Sequence, residues 1–111
     1  MNFDDFFFEK KGLEAADRDD QRKTALNAMY YSLEEVFYKK DQYYPSTIST
    51  KNLPSVEPRL FKDPFGRAVG SQGSDYRYEA TGCDGGAKCR GYRLRADLEK
   101  ESDFVLNSRN N

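Results

Sequence analysis

The chain contains no histidine and no tryptophan, and it has only two cysteines among its 111 residues. Without histidine it cannot form a Ser-His-Asp triad or a Cys-His pair, and most zinc sites are excluded as well. No glycine-rich phosphate-binding loop accompanies its many carboxylates. We therefore predict a protein that is not an enzyme and that holds no metal and no cofactor. Hydrolysis of a sugar by a pair of carboxylates stays open, although so short a chain leaves little room for a deep cleft.

Long apolar runs are missing too. No window approaches 18 consecutive apolar residues, and no basic segment followed by an apolar one opens the chain. The sequence as it stands therefore carries neither a transmembrane helix nor a secretory signal peptide.

The net charge of −1 argues against bulk electrostatic binding of nucleic acid or of an acidic membrane. The charge is unevenly distributed, however. Residues 1–58 carry eleven acids and eight bases, whereas residues 59–95 carry eight bases and four acids. The acidic and the basic segment could pair with each other, within one subunit or between subunits. Alternatively, both segments form ordinary surfaces that are exposed to solvent.

A helical pattern occupies the first half of the chain. Its apolar members recur at helical spacing, at Leu26, Met29, Tyr30, Leu33, Val36 and Phe37. The pattern predicts a helix over residues 13–42 with one buried face and an exposed polar stretch before that face begins. Residues 1–12 are expected to be flexible or juxtamembrane, because Gly12 weakens a helix that runs through it. Pro45 prevents the helix from continuing.

The last third of the chain changes to a period of two. Alternating apolar residues predict strands near residues 76–81 and 92–99, and a short apolar run predicts a third strand at Phe104-Val105-Leu106. The fold class is therefore α+β: one domain in which a long N-terminal helix packs on a small three-stranded antiparallel sheet over residues 75–107. The predicted helix–sheet core consists of Leu26, Tyr30, Leu33, Phe37, Tyr76, Tyr78, Tyr92, Leu94 and Leu98.

Residues 43–74 between the helix and the sheet are predicted to form a long structured loop. Tyr43-Tyr44-Pro45 is expected to fix the exit from the helix, and Asp63-Pro64-Phe65-Gly66 suits a type I turn that pins the loop. The tail after residue 107 is expected to fray.

Five residues separate Cys83 from Cys89, and three glycines accompany them between the first two predicted strands. A disulfide at this turn would close the tip of a hairpin and would place the domain outside the reducing cytosol. Two free thiols in a cytosolic protein are the alternative. The spacing does not match the C-x-x-C motif of redox enzymes.

Several stretches, taken in order, resemble bacterial type IV pilins and type II secretion pseudopilins. The first stretch is similar to the point where the long helix of these proteins leaves the membrane. Later stretches are similar to the YYP that ends this helix, to the DP(W/F)G segment and to the YxLxAxLE strand that cysteines flank. The stretches are Asp17–Ala28, Leu33-Glu34, Tyr43-Tyr44-Pro45, Leu53-Pro54, Lys62–Gly66, Tyr76-Arg77-Tyr78 and Cys83–Glu99.

The resemblance implies a non-catalytic, membrane-anchored, extracytoplasmic subunit of a type IV pilus or a type II secretion-like filament. Such a subunit assembles with other pilin subunits through its N-terminal helix. Members of this family need an apolar N-terminal segment, so we expect one to precede residue 1 in the complete protein. The cluster of Phe3, Phe6, Phe7 and Phe8 would then be the juxtamembrane edge, or these side chains pack on the domain or are disordered. The alternative function is a membrane-anchored binding or adhesion module that does not polymerise.

Two surface sites are also suggested. Lys88, Arg90, Arg93 and Arg95 could form a basic stripe that binds nucleic acid or a partner, with tyrosines nearby for stacking. Type II secretion pseudopilins commonly hold calcium near their last loop, and here that region carries Asp97, Glu99, Glu101 and Asp103. A solvated acidic turn is the alternative to a calcium site.

Overall fold

The N-terminal helix is the dominant element. A computed structural model describes the backbone of residues 3–110 and the side chains of residues 14–110. Helix α1 (Phe3–Ser32) continues into a π-helical turn (Leu33–Phe37) and a short helix α2 (Tyr38–Asp41). Gln42 ends this helix in the left-handed conformation, with φ of 62°, and its side-chain amide donates hydrogen bonds to the last carbonyl groups. The predicted end of the helix is therefore confirmed to within one residue.

The predicted start of the helix at residue 13 was wrong, because α1 begins at Phe3 and passes through Gly12. A glycine inside a helix costs about 1 kcal/mol relative to alanine, but Glu, Lys and Leu around it are good helix formers. Once a helix has nucleated, one weak position does not end it. The side chains of Phe3, Phe6, Phe7 and Phe8 lie outside those that the structure describes. None of the helices in the described part of the chain is both long enough and apolar enough to span a membrane.

The strands form two antiparallel sheets. The larger has the order β2 (Tyr76–Thr81), β4 (Gly91–Ala96) and β5 (Phe104–Asn107), which confirms the predicted three-stranded antiparallel sheet. The smaller pairs β1 (Tyr44–Pro45) with β3 (Lys88–Cys89) and was not predicted. The β4 strand ends at Ala96, so Leu98, expected inside a strand, packs on the core from the turn that follows.

The loop of residues 43–74 has few regular elements, as expected: strand β1, a 3-10 turn at Pro58–Phe61 and an isolated bridge between Lys62 and Ala68. The prediction that the tail frays was wrong for Ser108, Arg109 and Asn110. Their backbone amides donate hydrogen bonds to Tyr92, Glu34 and Tyr44.

The core lies between the second half of the helix and the inner face of the larger sheet. Leu26, Leu33 and Leu94 are fully buried, and the remaining predicted core residues are buried or packed against this cluster. The molecule measures 59 × 23 × 23 Å. A helix from Phe3 to Asp41, at about 1.5 Å per residue, extends about 58 Å and therefore spans the whole long axis.

Candidate functional site

A buried cluster of ion pairs joins the helix to the sheet. Arg22 on α1 is 1% exposed, and its guanidinium contacts three carboxylates. Its nitrogens lie 2.7 Å from Asp19, 2.9 Å from Asp75 just before β2 and 2.7 Å from Glu99 after β4. The sequence predicted that this polar part of the helix is exposed, which is confirmed for Asp17, Asp20 and Gln21 but was wrong for Asp19 and Arg22. The partners of Arg22 come from distant parts of the chain and could not be identified from helical spacing.

Asp19 holds the segment after β4 against the helix. Its carboxylate accepts hydrogen bonds from the backbone amides of Glu99 and Lys100, both at 2.8 Å. Burial raises the pKa of Asp19, but these amides and Arg22 outweigh burial, so the pKa lies below its usual value. Hydrogen bonds from Arg18 and Arg22 lower the pKa of Glu99 to about 2.

Three of the four acidic residues suggested for a calcium site lie beside cations of the chain instead. Glu99 pairs with Arg18 and Arg22, Glu101 pairs with Lys23, and Asp97 lies 3.7 Å from Arg77. Within the described residues, no group of three or more acidic or cysteine side chains is arranged to hold a metal ion. This acidic segment therefore fastens the sheet to the helix.

Asp63 begins the predicted turn that pins the long loop. The amide of Gly66 donates to the Asp63 carbonyl at 2.8 Å, which closes the turn. The Asp63 carboxylate accepts from the amides of Phe65, Arg67 and Asp75, at 3.0, 2.9 and 2.8 Å. Burial raises its pKa, but the three amides outweigh burial and hold the pKa below its usual value. Asp63 thereby joins the turn to the start of β2.

Because these pKa values are lowered in the folded state, the stability of the fold depends on pH. For Asp19, Asp63 and Glu99 the folded pKa lies below the unfolded one, so the unfolded chain binds protons first as the pH falls. The stabilisation is fully present above about pH 4.5 and is lost as the pH approaches 2. We expect the urea midpoint to fall steadily between these values and to be nearly constant from pH 5 to 7. Asp63→Asn should reduce the slope, whereas an equal midpoint at pH 5 and 2.5 would contradict this account.

A buried carboxylate lies in the π-helical turn. Glu34 is 3% exposed and accepts hydrogen bonds from the hydroxyl groups of Tyr44, at 2.8 Å, and Tyr92, at 2.6 Å. Burial is the main cause that raises the pKa of Tyr44 to about 12, and burial together with Glu34 raises that of Tyr92 further. The tail covers this cluster, with Asn110 donating to the Tyr44 hydroxyl. The expected role of Tyr44 at the helix exit thus rests on the carboxylate of Glu34, to which the sequence analysis assigned no role.

The structure contains the predicted disulfide between Cys83 and Cys89. It closes the connection between β2 and β4, where the amide of Arg90 donates to the carbonyl groups of Thr81 and Gly82. Gly82 has φ of +62°, and a Cβ there would lie 3.1 Å from the Arg90 Cβ. Both the backbone conformation and the close approach therefore favour glycine at this position.

Reduction of this disulfide is expected to lower the free energy of unfolding by about 2 kcal/mol, because the open loop regains conformational entropy in the unfolded chain. The measurement is a urea titration with and without a phosphine reductant. The variant Cys83→Ser/Cys89→Ser is the control. Its urea midpoint should equal that of the reduced protein and should not change when the reductant is added. Equal midpoints for the oxidised and reduced protein would refute a stabilising role.

The four predicted basic residues lie in two groups. Lys88 and Arg90 line a cleft of about 460 Å³ beside the disulfide, where the Lys88 ammonium lies 5.3 Å from the ring centroid of Tyr43. Arg93 and Arg95 lie on the outer face of β4. Among the described side chains, none of the four forms an ion pair.

The outer face of the sheet is only partly basic. In register, Arg95 lies opposite Arg77 and Arg93 lies opposite Glu79. The basic stripe predicted from the sequence is therefore interrupted by an acid and separated from Lys88 and Arg90.

A second cleft, of about 610 Å³, lies between α1 and the segment 59–64. Asp17 and Asp20 line it on the helix side, and Arg59 and Lys62 line it on the loop side. Tyr76, which is 1% exposed, also lines this cleft. No feature of the sequence pattern predicted that these residues meet.

The chain matches no protein-family model, no curated protein and no solved structure at a significant level.

Proposed function

We propose that this chain is the extracytoplasmic domain of a non-catalytic filament subunit, a pilin or pseudopilin of a type IV pilus or type II secretion-like system. The observation that carries the proposal is a helix that spans the full 59 Å of the molecule. Among the described side chains, burial on this helix begins at Asp19, and the sheet covers the part that follows. None of the side chains of residues 14–18 is buried, so this end of the helix is suited to contacts with other subunits or to a membrane anchor.

Two further features support the proposal. The disulfide fits a protein that works outside the reducing cytosol. The helix exit is fixed rigidly, because Tyr44 is fully buried and the hydroxyl of Tyr78 donates to the carbonyl of Pro45 at 2.6 Å. A rigid joint between helix and sheet would hold the exposed surface in a constant orientation along a filament.

The alternative is a membrane-anchored binding or adhesion module with the same fold that does not polymerise. The observation that favours it is the cleft beside the disulfide, which combines Tyr38 and Tyr43 with two cations that have no carboxylate partner in the described residues. Aromatic rings beside basic side chains are also suited to nucleic acid. An electrophoretic mobility shift with single-stranded DNA tests this, and Lys88→Ala/Arg90→Ala should abolish any shift if this cleft binds DNA.

The experiment that separates the two functions examines the protein isolated from its own cells. Intact mass and N-terminal sequencing are expected to show an apolar segment upstream, cut after a short leader and N-methylated. The protein should also sediment with filaments sheared from the cell surface. An uncleaved membrane helix, or a protein absent from the filament fraction, would overturn the subunit proposal in favour of the binding module.

A further inference from the structure

The disulfide closes an exposed, charged hairpin end, which we define as the hairpin tip (residues 82–90). Its residues are exposed except Cys89. Gly85 and Gly86 at its turn carry no side chain beyond hydrogen, so the backbone is accessible there. Asp84 lies just before these glycines, and Lys88 and Arg90 follow them. The tip therefore presents one anionic and two cationic groups on a backbone held by the disulfide.

The cleft between α1 and the segment 59–64, defined here as the helix cleft, has complementary charges. Asp17 and Asp20 on its helix wall are exposed and form no ion pair among the described side chains. On the loop wall Arg59 is paired with Glu57 at 3.1 Å. Lys62 has no such partner within residues 14–110. The cleft thus offers two unpaired carboxylates opposite one unpaired ammonium.

The hydroxyl group of Tyr76 at the wall of the helix cleft has no partner in the described part of the chain. Tyr76 is 1% exposed and lines the cleft, and in the described part of the chain its hydroxyl makes no hydrogen bond. The hydroxyl is not fully shielded from solvent, so it is a donor that an occupant of the cleft can reach. A ligand that enters the cleft with an exposed carbonyl group would supply the missing acceptor.

The hairpin tip and the helix cleft lie near opposite ends of the sheet-covered part of the helix. Strand β3 of the tip pairs with β1, directly after the helix ends, whereas Asp17 and Asp20 lie near its first buried residue. Asp20 and Gln42 are about 33 Å apart along the helix, at about 1.5 Å per residue. The two surfaces are therefore too far apart to meet within one copy.

We propose that the hairpin tip of one copy docks in the helix cleft of a second copy. Lys88 and Arg90 then pair with Asp17 and Asp20 of the second copy, and Asp84 pairs with Lys62. The Tyr76 hydroxyl donates to a backbone carbonyl at the turn of the tip. This contact is heterologous, so each assembly keeps a free tip and a free cleft, and repetition generates an open filament where the rotation between copies does not close a ring. The inference rests on the proposed filament function and specifies one of its contacts.

The test measures self-association of the full chain by sedimentation equilibrium. A contact this small is weak, and we expect a dissociation constant between about 1 μM and 1 mM. Association should weaken strongly from 20 mM to 500 mM NaCl, because salt screens exposed charge pairs. A protein that stays monomeric at 1 mM and low salt would overturn the inference.

Charge reversal then identifies the surfaces. Asp17→Lys/Asp20→Lys makes both surfaces basic, and Lys88→Glu/Arg90→Glu makes both acidic, so each variant alone should lose at least tenfold in association constant. A mixture of the two should associate again, because each tip then meets a cleft of opposite charge. The matched control for Lys88→Glu/Arg90→Glu is Lys51→Glu/Arg93→Glu, which makes the same change of net charge elsewhere and should retain wild-type association. Failure of the mixture to associate would refute the pairing.

A neutral variant tests the contact without changing charge. Tyr76→Phe removes a hydroxyl that has no partner in the described residues, so stability should be unchanged while association falls several-fold. Equal association of Tyr76→Phe and wild type would show that the hydroxyl is not part of the contact.

If the native protein is found in filaments but the charge-reversed variants associate normally, the inference fails and the filament function stands. If the mixture associates but the native protein is neither processed nor in filaments, the filament function fails instead.

Discussion

Replacing Arg22 with methionine is expected to lower the free energy of unfolding by about 3 to 5 kcal/mol, the range found when one partner of a buried charge pair is removed. Arg22 contacts Asp19, Asp75 and Glu99, and Asp19 is itself only 3% exposed. Methionine fills a similar volume but supplies no charge and no donor. The variant therefore leaves carboxylates close together without the cation that compensates them.

The measurement is the urea unfolding free energy at pH 7, with Lys23→Met as the matched control. Lys23 is the next residue and also pairs with an acid, Glu101, but both side chains are partly or largely exposed. An exposed ion pair contributes little, so Lys23→Met should change the midpoint only slightly. Adding Asp75→Asn to Arg22→Met should recover part of the loss, because one uncompensated charge is removed. Equal destabilisation by Arg22→Met and Lys23→Met would contradict the role assigned to burial.

The elements with a regular apolar period could be predicted from the sequence. Leu26 and Leu33 recur at helical spacing, and Tyr92 and Leu94 alternate with arginines, so each pattern identified both the element and its buried face. The turn at Asp63 could also be predicted, because aspartate, proline and glycine each suit one position of that turn. In each case a local rule decides the structure.

The polar part of the site could not be predicted, because it depends on pairs far apart in the sequence. Asp19 and Arg22 appear in the sequence as exposed helix residues, and they are buried only because Asp75 and Glu99 arrive from the sheet. The π-helical turn has no period that distinguishes it from an α-helix in so short a stretch. The pattern therefore gave no role to Glu34, although Leu33-Glu34 is one of the stretches that resemble pilins.

Glu34→Leu is expected to lower the free energy of unfolding by about 3 kcal/mol. The carboxylate accepts hydrogen bonds from Tyr44 and Tyr92, which are 0% and 3% exposed. Leucine fills much of the volume but leaves two buried hydroxyl groups without their acceptor, and each such group costs about 1 to 3 kcal/mol. Glu35→Leu is the control at the next position, where the side chain pairs with Lys39 and Arg109 at the surface and should matter less.

Removing the hydroxyl groups distinguishes this mechanism from a simple loss of packing. The triple variant Glu34→Leu/Tyr44→Phe/Tyr92→Phe should be more stable than Glu34→Leu alone, because replacing both partners of a buried hydrogen bond with apolar groups is nearly neutral. Recovery should be incomplete, since the Tyr44 hydroxyl also accepts hydrogen bonds from Asn110. Urea unfolding of the two variants, each compared with wild type, measures the difference. A triple variant less stable than Glu34→Leu would mean that packing of the π-helical turn, and not the buried carboxylate, determines the stability of the helix exit.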